Sequence, residues 1–141
     1  MKHIQFFSFQ SNYVLKNKKK ISKWVEECVI SEGKRIAELS IILCSDEYLR
    51  TLNAAHLSHD YYTDILTFDF SDGLPEIKAE LYVSTDRVRE NAAQYHVSMA
   101  NEMCRVIIHG VLHLCGYDDK TQEQKEAMRN AEERCLSERD F

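Results

Sequence analysis

Residues 98–119 read SMANEMCRVIIHGVLHLCGYDD. Ser98 is a helix cap, and an apolar helix running from about Met99 to Cys115 follows it. Two histidines, His109 and His113, interrupt that apolar run. Residues four apart on a helix lie about one turn apart on the same face, so both imidazoles can address one point. Gly116 stands where such a helix should stop, because glycine tolerates the left-handed conformation. The chain can then turn back and bring Asp119 beside the histidines.

The resulting pattern is H-x-x-x-H-x-x-G-x-x-D. Two imidazoles and one carboxylate leave a fourth coordination position open, as a catalytic zinc site does and a structural one does not. A single histidine in an apolar helix is usually a core residue with one hydrogen bond. A pair at this spacing, followed by a glycine turn and an acid, points to a metal. The reading takes His109, His113 and Asp119 as metal-binding and catalytic residues, with Asp118 the rival for the third place. Zinc proteases share the spacing but carry a glutamate after the first histidine as general base. Here that position is Gly110, which argues for a metal hydrolase of another kind.

The rest of the chain builds a domain around this helix. The protein has 141 residues, 44% of them hydrophobic and 29% charged. That suits one soluble domain, residues 1–141, with a core of its own. The net charge is −5, so any nucleic-acid contact must come from a local patch. The five cysteines form no C-x-x-C pair and sit mostly at apolar positions of periodic segments, which reads as a reduced, cytoplasmic protein. The N-terminal stretch does not read as a signal peptide, and no run reaches the ~20 apolar residues of a membrane span.

Ahead of the histidine helix, residues 3–9 read as a strand. Ile21, Trp24, Val25, Cys28 and Val29 mark the stripe of a first helix, which Gly33 ends. Residues 38–44 form a strand, and Ser45 caps a helix over 46–56. Residues 57–63 are a loop, 64–70 a strand, 71–76 a turn and 79–84 a strand. Ser84 caps a helix over 85–95. Thr121 and Gln124 make a capping box for a last helix ending near Leu136. The order is β-α-β-α-β-β-α-α-α, an α+β fold with a small mixed four-stranded sheet and about five helices.

HGVLHLCGYD resembles the signature of the YbeY family, bacterial endoribonucleases of rRNA maturation, whose pattern runs His-Gly-x-Leu-His-Leu-x-Gly-Tyr-Asp-His. LNAAHLSHDYYTDILTF (52–68), AELYVS (79–84) and MRNAEE (128–133) are similar to further segments of the family in the same order. The resemblance implies a zincin-like α+β fold and one Zn2+ held by three side chains. It also implies metal-dependent cleavage of single-stranded RNA during maturation of the 16S 3′ end and ribosome biogenesis. Implied partners are ribosomal RNA and the small ribosomal subunit or its assembly factors, with no membrane. His109 and His113 match the first two ligands. Asp119 stands where the family usually has a third histidine; a carboxylate there favours Mn2+ or another harder ion more than an imidazole would. Leu57 stands where many members carry an arginine, and His59 or a lysine is a substitute for it.

A divalent ion at this point can activate water or assist a ribose 2′-hydroxyl, and the residues do not choose between them. Asp64, Asp69 and Glu80 are candidates for the general base or for carboxylates that hold the histidines. Lys16, Lys18, Lys19, Lys20 and Lys23 form the clearest basic stretch for RNA, with Arg87, Arg89 and Arg105 as additions and Tyr61 and Tyr62 as stacking rings. Cys115, two residues past His113, points to another face and reads as core. The alternatives are a ribosome-associated assembly factor with a structural or weakened metal site, and a small metallohydrolase or peptidase.

Overall fold

The computed structural model describes residues 3–57 and 62–141. The chain order is β1 (Ile4–Phe9), α1 (Lys18–Ser31), β2 (Arg35–Cys44), α2 (Asp46–Leu57), β3 (Ile65–Asp69), β4 (Glu76–Ser84), α3 (Thr85–Tyr95), α4 (Met99–Leu114) and α5 (Gln122–Ser137). The element order read from the sequence is the order observed. Local chemistry accounts for the boundaries. Ser84 and Ser98 accept hydrogen bonds from the backbone N–H of Arg87 and Asn101, and Thr121 and Gln124 complete their capping box. Gly33, at φ +80°, ends α1 as expected.

Two strands begin three residues earlier than their sequence pattern suggests. In β2 the register shifts between Ile36 and Glu38, so the buried positions Ile36 and Leu39 are three apart rather than two. That bulge breaks the alternation from which a strand is read. In β4 the first apolar position is the buried Ile77, two residues past Pro75.

The sheet order is β1-β2-β4-β3. β1 and β4 run parallel to β2, and β3 runs antiparallel to β4. One face of the sheet carries the main core, in which Leu39, Ile41, Leu43, Leu81 and Val83 meet apolar residues of α1, α3, α4 and α5. The other face packs Cys44 and Leu66 beneath Leu49 of α2. This is the α+β architecture expected, with its four-stranded mixed sheet and five helices.

α4 is the central helix. Met103, Ile107, Ile108, Val111 and Leu112 are all almost fully buried, each contributing about 1.5–3 kcal/mol of burial for the larger side chains. Gly110 lies where α4 crosses β3 and β4. A Cβ there would stand 2.6 Å from Ile65 Cδ1 and 3.2 Å from Leu81 Cδ2. The missing side chain therefore lets the helix settle on the sheet. The five cysteines are free thiols, four of them buried and Cys115 half-buried against the main core. Burial pushes the Cys44 and Cys115 thiols up to about 12.

Candidate metal centre

The one face of α4 that its neighbours leave partly open carries His109 and His113, with 23% and 24% of their side chains accessible. Both rings are fixed from behind. The His109 Nδ1 lies 2.5 Å from Glu132 Oε2, a carboxylate on α5. The His113 Nδ1 lies 2.9 Å from the Tyr117 carbonyl oxygen. A carboxylate and a carbonyl only accept, so each Nδ1 carries the hydrogen and each Nε2 presents a lone pair. Those two Nε2 atoms face each other at 3.1 Å.

The turn after α4 supplies the third group. The Gly116 N–H donates to the His113 carbonyl and the Tyr117 N–H to the Leu112 carbonyl, both at 3.0 Å, with Gly116 at φ +109°. This is the hydrogen-bond pattern of a Schellman turn. It does two things at once: it offers the Tyr117 carbonyl to His113 and reverses the chain. Asp119 Oδ2 then stands 3.4 Å from the Nε2 of His109 and 3.4 Å from the Nε2 of His113. Asp118, the rival, is exposed.

Three electron-pair donors thus converge on one point. For bonds of about 2.0–2.1 Å in a tetrahedral site, ligand atoms are separated by about 3.3 Å. The observed separations of 3.1, 3.4 and 3.4 Å match that edge. Among the described residues these three form the cluster able to hold a metal ion. The donor set and its spacing fit a divalent cation with one face left open.

A cavity of about 310 Å3 opens on that face, lined by residues 63–67 together with the three donors. Of the three strand acids, Asp64 is in its wall, where its Oδ2 accepts from Asn91 Nδ2 at 3.3 Å. Asp69 instead accepts from the Ser71 N–H and closes the β3–β4 turn. Glu80 pairs with Phe68 and neighbours Tyr82 on the sheet face turned away from α4, where it accepts from the Tyr82 hydroxyl.

Sequence reasoning missed Glu132. It is 23 residues from His109, and an acid on a helix gives no local sign of whether it faces solvent or core. Its other oxygen lies 3.5 Å from Arg105, whose guanidinium also holds the buried Glu102. Arg105 is therefore paired with two internal carboxylates, one of which stands behind His109. Arg87 pairs with Asp46 and Arg89 with Asp86. The Tyr62 ring carries the guanidiniums of Arg50 and Arg87, and its hydroxyl binds Glu47, while the residue stays exposed. His59, Tyr61 and the side chain of Leu57 lie outside the described residues.

The pKa of His109 is shifted by its surroundings. Burial lowers its pKa, but the hydrogen bond to Glu132 and the charges of Glu132, Asp64 and Asp119 outweigh burial. The net shift is upward. The site is thus built to attract positive charge.

Fold and site together define a small α+β protein with a partly open His-His-Asp centre of the metal-binding type. Residues 6–140 match the family model described as endoribonuclease YbeY. The chain is similar to endoribonuclease YbeY of Christiangramia forsetii, 43% identical over 92% of this chain and 90% of that one. It is also similar to endoribonuclease YbeY of Cytophaga hutchinsonii, 44% identical over 98% and 96% of the two chains. The solution structure of a Thermotoga maritima protein, TM1509, superposes with a TM-score of 0.60 at 29% identity, covering 96% of this chain and 90% of the other. This chain belongs to the endoribonuclease YbeY family.

Proposed function

We propose that the chain, as a single domain over residues 1–141, is a metal-dependent endoribonuclease that cleaves phosphodiester bonds of single-stranded RNA in the maturation of ribosomal RNA. One observation carries the reading. His109, His113 and Asp119 aim three donor atoms at a common point beside a cavity, at separations that suit a tetrahedral ion.

In this reading those three side chains hold the ion and are the catalytic set. When bound, a divalent ion supplies Lewis acidity and neutralises charge that develops on a phosphoryl oxygen. Zinc suits two imidazoles and a carboxylate at this spacing, and the carboxylate also admits Mn2+. Glu132 keeps the His109 hydrogen on Nδ1, and the Tyr117 carbonyl does the same for His113. In this reading Asp64, which lines the cavity, would take a proton from the attacking hydroxyl. Gly110 bears on substrate class, because it stands where a zinc peptidase carries its general-base carboxylate, and a side chain there would have to displace Ile65 and Leu81.

The substrate and context come from the family: relatives that match almost the whole chain are named endoribonucleases. Ribosomal RNA, the small subunit or its assembly factors, and a cytoplasmic setting follow from that membership. Among the described residues no helix is long and apolar enough to cross a membrane.

The test is incubation of zinc- or manganese-loaded protein with single-stranded RNA and, separately, with unstructured peptides, each beside an EDTA control. RNA cleavage abolished by EDTA and restored by metal is the expected result. Metal-dependent peptide cleavage, or RNA binding without cleavage in any metal, overturns the reading.

A further inference from the structure

Among the described residues, the sheet edge remote from the metal cavity pairs with no further strand, and the segment Tyr13–Leu15 flanks it at Phe6–Ser8. β1 forms it, pairing with β2 over six consecutive residues from Ile4 to Phe9 without a bulge. The Leu39 N–H donates to the His3 carbonyl at 2.8 Å, which sets the phase of this parallel ladder. His3, Gln5 and Phe7 turn their backbone groups toward β2, while Ile4, Phe6 and Ser8 turn theirs outward. Among the described residues these outward groups meet no hydrogen-bond partner.

Exposed edges are normally blunted by lysines, proline or a bulge on the strand itself. IQFFSF has no charge and no proline. It is an edge suited to accept another strand. The opposite edge, β3, is five residues long and ends on Asp69.

A groove of about 640 Å3 runs between β1 and α1. One wall is the strand from His3 to Phe7; the other is the α1 face bearing Lys18, Lys19, Ser22, Lys23 and, at its far end, Glu26. In a chain of net charge −5, three exposed lysines against the single acid Glu26 leave this wall locally positive. The groove joins outward amides and carbonyls at the strand repeat of about 3.3 Å per residue to a row of cations.

That combination distinguishes the occupants. A phosphodiester backbone satisfies the lysines but cannot pair with a strand edge. A second copy of this chain could pair with β1 but would bring another lysine row to the seam. The lysines are also remote from the metal. β1 and β3 are separated by three strand spacings, about 14 Å. We infer that β1 and α1 form a docking groove for an extended acidic peptide of a partner protein, which adds to the sheet as a fifth strand and sets its carboxylates against Lys18, Lys19 and Lys23. The inference stands apart from the ribonuclease reading, because it uses no residue of the metal centre.

The test titrates the full chain, isotopically labelled, with three probes: an alternating valine–glutamate decapeptide, its valine–lysine counterpart and deca-uridylate. The acidic peptide should bind and protect the Ile4, Phe6 and Ser8 amides from exchange, with the lysine peptide weaker by about tenfold or more. Ser8→Pro removes an outward N–H without touching the β2 ladder, and should abolish that protection. Lys19→Glu combined with Lys23→Glu, at exposed positions, should weaken binding by about tenfold or more even if the proline variant folds poorly. Overturning results are no binding of the acidic peptide, binding unaltered by both variants, deca-uridylate binding with the same dependence on the lysines, or dimerisation through β1.

Discussion

The Nδ1 of His109 on α4 and a carboxylate oxygen of Glu132 on α5 are 2.5 Å apart, so a helix with no donor to the metal point governs how one donor is presented. Glu132→Gln weakens the acceptor and frees the amide to turn its N–H2 toward the ring. Metal affinity should fall by about 10–100-fold. Chelator competition followed by elemental analysis checks this, and unchanged affinity would show that the contact does not orient His109.

His113→Ala removes one of three converging donors and should abolish metal binding and RNA cleavage together. The helix around it is held by apolar burial, so the fold should persist by circular dichroism. Undiminished metal in this variant would remove His113 from the ligand set. Asp119→His keeps a donor at the same point and should retain the ion, with zinc favoured over manganese. Loss of all metal in that variant would count against Asp119.

Gly110→Glu restores the residue of a zinc peptidase but should not create a peptidase. The side chain must enter a space where even a Cβ meets Ile65 and Leu81. Overpacking and a buried charge should cost about 3 kcal/mol or more. Thermal denaturation should show Tm lowered by about 10 °C. A variant as stable as the parent would contradict the close crossing of α4 on β3 and β4.

The raised pKa of His109 has a definite sign in the metal-free protein. The proton it gains on Nε2 has acceptors in His113, at 3.1 Å, and Asp119, at 3.4 Å. The folded form holds that proton more tightly than the unfolded chain does. This stabilisation is complete below the ordinary histidine value of about 6.5 and is lost as pH rises through the higher folded value. Metal affinity has the opposite trend, because proton and ion compete for one lone pair. Melting in EDTA between pH 5 and 8 should show the first trend, and His109→Asn should flatten it. An equal slope in both proteins would place the titration elsewhere.

With thiols near pKa 12, Cys44 and Cys115 are almost entirely protonated at neutral pH. Both should react with iodoacetamide far more slowly in the native protein than in urea, as mass mapping would show. Rapid native labelling of Cys44 would mean that the β2–α2 junction opens readily.

Most of the fold was legible because its signals are local. The Ile21–Val29 stripe, the caps at Ser84, Ser98 and Thr121, and the stops at Gly33 and Gly116 each act within a turn or two of chain. The strand starts at Arg35 and Glu76 were not legible, since one lies just ahead of a bulge and the other begins where proline and turn residues dominate the pattern. The pairing of Arg105 was hidden for a related reason. A charged side chain in a helix has the same spelling whether it faces solvent or, as here, two buried carboxylates.

The sequence by itself determined that His109 and His113 share a face and that a glycine turn returns an acid toward them, because helical pitch and the left-handed preference of glycine are short-range. Only the tertiary structure decided which acid completes the set, which carboxylate stands behind His109, and that the lysine-rich helix start borders an open strand edge instead of the metal cavity. Those outcomes depend on how α5, α1 and β1 pack across the core, and packing is settled by surfaces far apart in the chain.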